Sequence, residues 1–407
     1  KSTADSAGSF TISVPAEWPA TLVVSAFGHA SDSLVLKALP REPIVITLEE
    51  VMELPATEVI ARQTATQLDL RSTAATERIG ARELKRAACC DVSESFETNA
   101  TVDVSYSDAI SGAKTLRMLG LDGKYAQISV ENIPFVRGLS AGLGLTLLPG
   151  PWIREINVGK GVGTAVNGPN AMTGQIELCL LDPETAPLLF TNLYTNSQGR
   201  TELNVNTAQH FANAGDNVLM IHTSLLQRDM DDNGDGFRDQ PLTRRFNVMD
   251  RWMQHHGRRT SQLILRYVTD DRDGGQTNAH RVTEGTTGRH YTVHVGNEMA
   301  DVIAKNGWIL PDSTQSIGLL AAFRNHTMSS LFGDRSYEAA QVSGYANAIY
   351  QRTVGVAGDK LKAGGGIQFD DYKEAYLDST FGRTERMPGL FAEYTRSRPR
   401  NTGENVS

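Results

Sequence analysis

The sequence predicts a mainly β protein in three successive parts: a partial β-sandwich, an α+β globule rich in glycine, and a long antiparallel array of strands. Three observations carry this. Residues 1–50 alternate short β-branched runs with proline and glycine turns, twelve glycines punctuate residues 112–174, and from Pro187 onward apolar residues recur at every second position. A period of two places successive side chains on opposite faces of a strand, so each of these later segments has one apolar and one mixed polar face.

Within residues 1–50 the expected strands are 9–14, 21–27, 31–37 and 44–48, separated by Pro15, Pro19, Gly28, Pro40 and Pro43. Four strands are too few for two packed faces, so this stretch reads as the C-terminal part of a sandwich. Residues 51–77 loosen into Thr, Ala, Arg and Gln around the apolar pair Val59 and Ile60, the composition of a linker. Residues 78–182 hold a helix candidate at 81–88 and then many short apolar segments, the pattern of a turn-rich globule. Over 187–407 about ten alternating strands are expected, among them those carrying Leu203 and Val205, Leu219 and Ile221, Leu263 and Leu265, and Leu319 and Phe323. Their connections alternate too, short near 212–217 and 255–259 and long and polar at 229–241 and 270–289. Short turns on one rim and long loops on the other are the habit of outer-membrane barrels, so this part reads as a transmembrane antiparallel β-barrel, the alternative being a soluble sandwich, whose strands alternate in the same way.

Charge and composition exclude several function classes. The 407 residues carry 39 basic and 47 acidic side chains, a net charge of −8, with no run of five or six Lys or Arg, which argues against a nucleic-acid partner. The longest uncharged runs, 138–153 and 161–176, each hold four glycines and a proline, so neither is a spanning helix, whereas a membrane strand needs only about ten alternating residues. Three cysteines fit either an oxidising or a reducing compartment. The chain has no His-Glu-x-x-His, Gly-x-Ser-x-Gly or Walker loop, and an enzyme is not expected.

One loop has the donor order of a calcium site. Asp231, Asn233, Asp235 and Asp239 stand at positions 1, 3, 5 and 9, Gly236 at the sharp turn and the Phe237 carbonyl at 7, while position 12 is Leu242 in place of the bidentate glutamate. The alternative is an acidic turn held by its own Asp and Asn side chains. His290 and His294 share a strand face, fit for a metal or simply for water; His255 and His256 mark a turn. Cys89 and Cys90 allow a vicinal disulfide, a soft-metal site or plain burial, and Cys179 stands apart.

The order of segments resembles the TonB-dependent outer-membrane receptors. The stretch Ile153-Arg154-Glu155-Ile156-Asn157-Val158-Gly159-Lys160-Gly161, then Asn167-Gly168 and Thr173-Gly174-Gln175-Ile176-Glu177-Leu178, looks like the end of the family's plug domain. Ser129-Val130-Glu131-Asn132-Ile133-Pro134 sits where the family has a strand ending in Asp-Gly-Val-Pro, and Arg117-Met118-Leu119-Gly120 where Ile-Arg-Gly is common. Residues 1–50, with Gly8-Ser9-Phe10 and Ser25-Ala26-Phe27-Gly28-His29, resemble the carboxypeptidase-regulatory-like module of Bacteroidetes-type receptors, and carry no zinc ligands for a peptidase.

The resemblance implies residues 1–50 as that module, 51–77 as a linker, 78–182 as the plug and 187–407 as the first ten or so strands of a 22-stranded barrel, hence a fragment truncated at both ends. It implies uptake of a scarce solute, a ferric siderophore or another metal complex, with energy from the partner TonB and its inner-membrane complex. Glu58, Val59, Ile60 and Ala61 lie where the family carries its TonB-contact segment. It implies a place in the bacterial outer membrane, with lipid around the wall and the plug and module on the periplasmic side. The alternatives are a surface adhesion barrel that moves nothing, or uptake of cobalamin or an oligosaccharide.

Overall fold

The computed structural model describes residues 9–12, 18–24, 32–40, 43–47, 66–69, 76–80, 83–84, 91–96, 102–108, 110–168, 170–212, 214–277, 291–355 and 359–396, and the statements that follow concern these residues. They fall into two units, 1–63 and 64–407.

In the first unit β1 (Ala20–Val24) and β2 (Asp32–Leu36) pair antiparallel, Ala20 opposite Leu36. The described parts of the other two expected strands, 9–12 and 44–47, carry no ladder among the described residues.

The second unit begins with a globule of nine strands. These are β3 (Thr66–Asp69), β4 (Thr76–Gly80), β5 (Val102–Asp108), β6 (Ala113–Met118), β7 (Leu121–Asp122), β8 (Ala126–Val130), β9 (Ile133–Pro134), β10 (Ile153–Lys160) and β11 (Gly174–Leu180). A six-stranded sheet runs β3-β4-β10-β11-β8-β9, with β8 parallel to β11 and the other pairs antiparallel; β5-β6-β7 form a separate sheet. Alternation in β10 and β11 turns Ile156, Val158, Ile176 and Leu178 into a core with Phe96, Leu116, Met118 and Trp152. Of the helix expected over 81–88, only Glu83 and Leu84 are described, in a helical turn; the remaining turns are short 3-10 segments such as Gly138–Ala141 and Gly150–Trp152. The β8–β9 hairpin closes through Glu131 (φ 52°) and Asn132 (φ 64°), a two-residue turn with both residues left-handed. Asparagine tolerates that conformation; glutamate needs something to hold it.

Ten further strands follow in sequence order, each antiparallel to the last: β12 (Leu189–Thr195), β13 (Arg200–Phe211), β14 (Gly215–Leu226), β15 (Leu242–His256), β16 (Arg259–Gly275), β17 (Thr292–Ile309), β18 (Gln315–Phe332), β19 (Arg335–Val354), β20 (Asp359–Tyr376) and β21 (Ser379–Thr395). The short connection between Phe211 and Gly215 and the turn at 257–258 fall where alternation places them. The long connection expected from 270 starts later, because 270–275 stay in register with Thr292 to Asn297. The rim of long loops is also not uniformly long, since β18–β19 and β20–β21 close through the two-residue turns 333–334 and 377–378.

The decisive feature of this wall is which face is covered. The buried inward side chains include Glu202, Asn204, His222, Arg245, Asn247, Arg266, Asp270, Asp301, Arg324 and Asp370, whereas Leu203, Leu225, Phe246, Leu263, Leu265, Val302, Leu319, Phe323 and Ile367 point outward and are exposed. Adjacent residues make the contrast plain: Phe323 is 52 % exposed and Arg324 9 %. So large an outward apolar area is unfavourable in water, at roughly 25 cal/mol per Å², and costs nothing in lipid. No helix among the described residues is long and apolar enough to cross a membrane, which says nothing about strands.

Candidate functional site

The globule packs against the polar face of the wall, and the seam between them is built from wall guanidinium groups. Strand parity sends Arg251, Arg266, Arg272 and Arg324 inward from β15, β16 and β18, where they donate to globule carbonyl oxygens. Arg251 Nη1 reaches Leu181 at 2.7 Å, Arg266 Nη2 reaches Leu147 at 2.6 Å, and Arg324 Nη1 reaches Phe135 at 2.8 Å. Arg272 Nη1 serves Ser111 at 3.1 Å and Gly112 at 3.0 Å, and its Nη2 the Thr146 hydroxyl. Buried guanidinium groups need counter-charges. Asp270 takes Arg245 and Arg272, both at 2.7 Å; Asp301 takes Arg266 at 2.9 Å and also Arg324. In the opposite sense Arg137 of the globule pairs with Asp370 of β20.

Glu131 at the hairpin turn is the globule's main acid in this seam. Its carboxylate accepts the Leu180 N–H at 3.0 Å and pairs with Lys305 at 2.9 Å and Arg251 at 3.2 Å. These partners hold a glutamate in the left-handed region, where backbone strain otherwise costs about 1 kcal/mol or more. Burial alone would raise the Glu131 pKa; Lys305 and Arg251 outweigh it and hold the carboxyl below the ordinary glutamate range. Its neighbour Glu177 on β11 behaves in the opposite way. Burial, with the Glu131 charge adding to it, pushes Glu177 up to about 8 against the lowering effect of the Asn132 N–H, which it accepts at 2.6 Å; its second oxygen has no hydrogen-bond partner.

Toward the long-loop rim the seam opens into a cavity of about 330 Å³, lined from the globule by Asp91, Lys114 and Thr146 and from the wall by Arg200, Arg245 and Arg272. Arg200 bridges Glu94 at 3.2 Å and Glu202 at 2.7 Å, and Lys114 lies 3.6 Å from Glu94. Burial works against the Asp91 carboxylate, but Lys114, Arg245, Ser93 and Arg200 together lower its pKa. The cavity is therefore lined by fixed charges of both signs.

The loop of 229–241 closes this rim. Asp231 accepts the N–H groups of Asp235 (3.0 Å) and Gly236 (2.9 Å), Asn233 that of Asp235 (3.0 Å), Asp235 that of Phe237 (2.8 Å) and Asp239 that of Asp232 (2.8 Å). Among the described residues no group of three or more His, Cys, Asp or Glu is placed to hold a metal ion. The loop is laced to the next one, since Arg238 N–H reaches Gly275 O and Thr277 N–H reaches Gly236 O, both at 2.9 Å.

Of the other residues singled out in the sequence, Glu58, Val59, Ile60, Ala61, Cys89, Cys90 and His290 lie outside the described residues. His294 Nδ1 is 2.8 Å from Asp273, and His255 Nε2 2.8 Å from Glu184. Cys179 is a half-buried thiol beside Asn157, raised to about 12 by burial and then by Glu177. Sequence reasoning missed the seam itself. A signal existed, because Arg266, Asp301 and Arg324 interrupt otherwise well-formed strands, but isolated charges on a polar face read as solvated.

No protein-family description matches the chain, and no curated protein resembles it in sequence. Solved structures do resemble it in fold. The siderophore receptor PiuA from Acinetobacter baumannii superposes with a TM-score of 0.59 at 10% identity, over 78% of this chain and 53% of that one. The ferripyoverdine receptor of the Pseudomonas aeruginosa outer membrane, bound to ferripyoverdine, gives 0.61 at 10%, over 81% and 49%. The ferric citrate transporter FecA gives 0.54 at 15%, over 80% and 51%. The chain thus spans about half the length of these solved structures.

Proposed function

We propose that this chain forms the plug and part of the barrel wall of a bacterial outer-membrane receptor that takes up a scarce solute, a ferric siderophore or another metal complex, with energy supplied through TonB. The observation that supports this best is the pairing of an outward apolar wall with an inward charged face on which a separate globule is docked. A passive adhesion barrel has no use for a globule that fills its lumen. The proposed wall is completed by further strands, because in lipid an open edge leaves backbone groups unpaired at several kcal/mol each. The solved structures that share the fold include siderophore and ferric citrate proteins, which favours an iron complex among the possible cargoes. In this reading residues 1–50 are a periplasmic accessory sandwich of the Bacteroidetes receptor type, and the mixed-charge cavity by Asp91 and Arg245 belongs to the solute path.

The proposed TonB contact is Glu58 to Ala61, an extended segment able to add to the edge of a partner's sheet. Proline at 60 removes one N–H and fixes φ, so strand addition fails while the flanking units keep their folds. In the complete receptor, Ile60→Pro should leave binding of radiolabelled ferric siderophore at the cell surface unchanged and abolish energised uptake. Normal uptake by the proline variant, at normal outer-membrane levels, would exclude this segment as the coupling element.

A further inference from the structure

Three wall residues stand side by side in the strand register: Arg266 on β16, Asp301 on β17 and Arg324 on β18. Two guanidinium groups share one carboxylate, so the buried row carries one unmatched positive charge. The globule answers it with Phe135, the residue after β9. The ring centroid lies 5.0 Å from the Arg266 guanidinium carbon and 4.8 Å from that of Arg324, within reach of attraction between a cation and an aromatic face. The same two arginines also hold the globule backbone, at Leu147 O and Phe135 O. The Phe135 carbonyl additionally accepts the Ser140 hydroxyl at 3.0 Å. One row of wall side chains therefore grips both ends of the segment 135–147.

We infer that Phe135, held by Arg266 and Arg324, is the latch that sets how readily the globule yields to let a solute pass. The inference rests on the reading of the globule as a plug. An apolar ring over two desolvated cations is held by electrostatics that an aliphatic side chain of similar bulk cannot supply. Phe135→Leu keeps the packing and removes the attraction. Phe135→Tyr keeps the aromatic face, and a cavity of about 30 Å³ lined by Pro134, Arg137, Asp301 and Arg324 adjoins the site.

The test is passive entry of a large hydrophilic antibiotic, vancomycin, into cells carrying the complete receptor, each variant being matched for outer-membrane level. Four forms are compared: the unchanged protein, Phe135→Leu, Phe135→Tyr, and a form lacking 78–182. Phe135→Leu should admit the antibiotic roughly tenfold faster than the unchanged protein, the size of effect expected for losing a desolvated cation–π pair. Phe135→Tyr should stay closed, and Arg324→Met, which removes the charge over the ring, should leak like Phe135→Leu. The deletion should leak most. A leaking deletion with a tight Phe135→Leu would overturn the latch and leave the plug reading standing. A deletion that admits nothing would overturn both.

Discussion

The Lys305 ammonium lies 2.9 Å from the Glu131 carboxylate, joining the wall to the turn of the β8–β9 hairpin. Because Glu131 adopts a left-handed backbone and has its carboxylate held by Lys305, Arg251 and the Leu180 N–H, the turn and the seam support each other. Lys305→Met should weaken docking of the globule by about 2 kcal/mol, less than a fully buried pair because both groups keep some solvent contact. The measurement is thermal melting of the complete protein in detergent. The pH dependence has a defined sign. The Glu131 pKa is lowered in the folded state, so its contribution is present above the ordinary value of 4.5 and is lost as pH falls through the lowered one. An unchanged acid limb in Lys305→Met would contradict this.

Glu177 should produce the opposite slope. Its folded pKa is raised to about 8 from 4.5, so the folded state binds a proton that the unfolded state has released, and stability falls as pH rises between those values. Glu177→Gln keeps an acceptor for the Asn132 N–H and carries no charge at any pH. It should remove most of that fall, a gain on the order of a few kcal/mol near pH 8. Parallel pH profiles for the two proteins would show that burial does not hold this carboxyl neutral.

At Gly274 on β16 the wall backbone lies against the globule, and a Cβ built there would clash with the Ile110 carbonyl oxygen. Gly274→Ala must push the segment around Ile110 away, at a cost of about 1–3 kcal/mol. Limited proteolysis should then cut 102–118 faster in this variant than in the unchanged protein, with the wall still intact. Equal cutting rates would mean that the two bodies are not in contact at this point.

Asp231 holds the N–H groups of Asp235 and Gly236, and Asn233 also serves the first, so Asp231→Ala leaves the Gly236 N–H without its acceptor and should lower stability by about 1 kcal/mol. Melting in millimolar calcium against chelator separates self-capping from metal binding. A calcium-dependent rise that disappears in Asp231→Asn would show that the same oxygens also hold the ion, since a ligand of the folded state alone stabilises it by mass action.

The strands of the wall were legible because alternation such as Leu263, Leu265 and Tyr267 against Gln262 and Arg266 survives in the chain as a period of two. The pattern is silent about which face is covered. A row such as Arg266, Asp301 and Arg324 looks solvated until the globule is placed against it, since the three residues belong to different strands and meet through register alone. The hairpin at Glu131 and Asn132 was hidden for another reason. Glutamate is a poor turn residue, and partners distant in sequence, Lys305, Arg251 and the Leu180 N–H, make it tolerable. Of the strands expected in residues 1–50, those over 21–27 and 31–37 are seen as a ladder in their described parts, because their β-branched runs face each other across an antiparallel pair.

The claim that the wall turns its apolar face to lipid and its charged face to the globule can be measured directly. Single nitroxide labels are placed in the membrane-embedded protein at 263, 265, 302, 319 and 323 on one face, and at 247 and 326 on the other. Collision with oxygen, which partitions into lipid, is compared with collision with a water-soluble nickel chelate. The outward positions should collide with oxygen and be shielded from nickel, and the two inward positions should be protected from both. Nickel access at 265 and 323, or oxygen access at 247 and 326 matching theirs, would contradict the account.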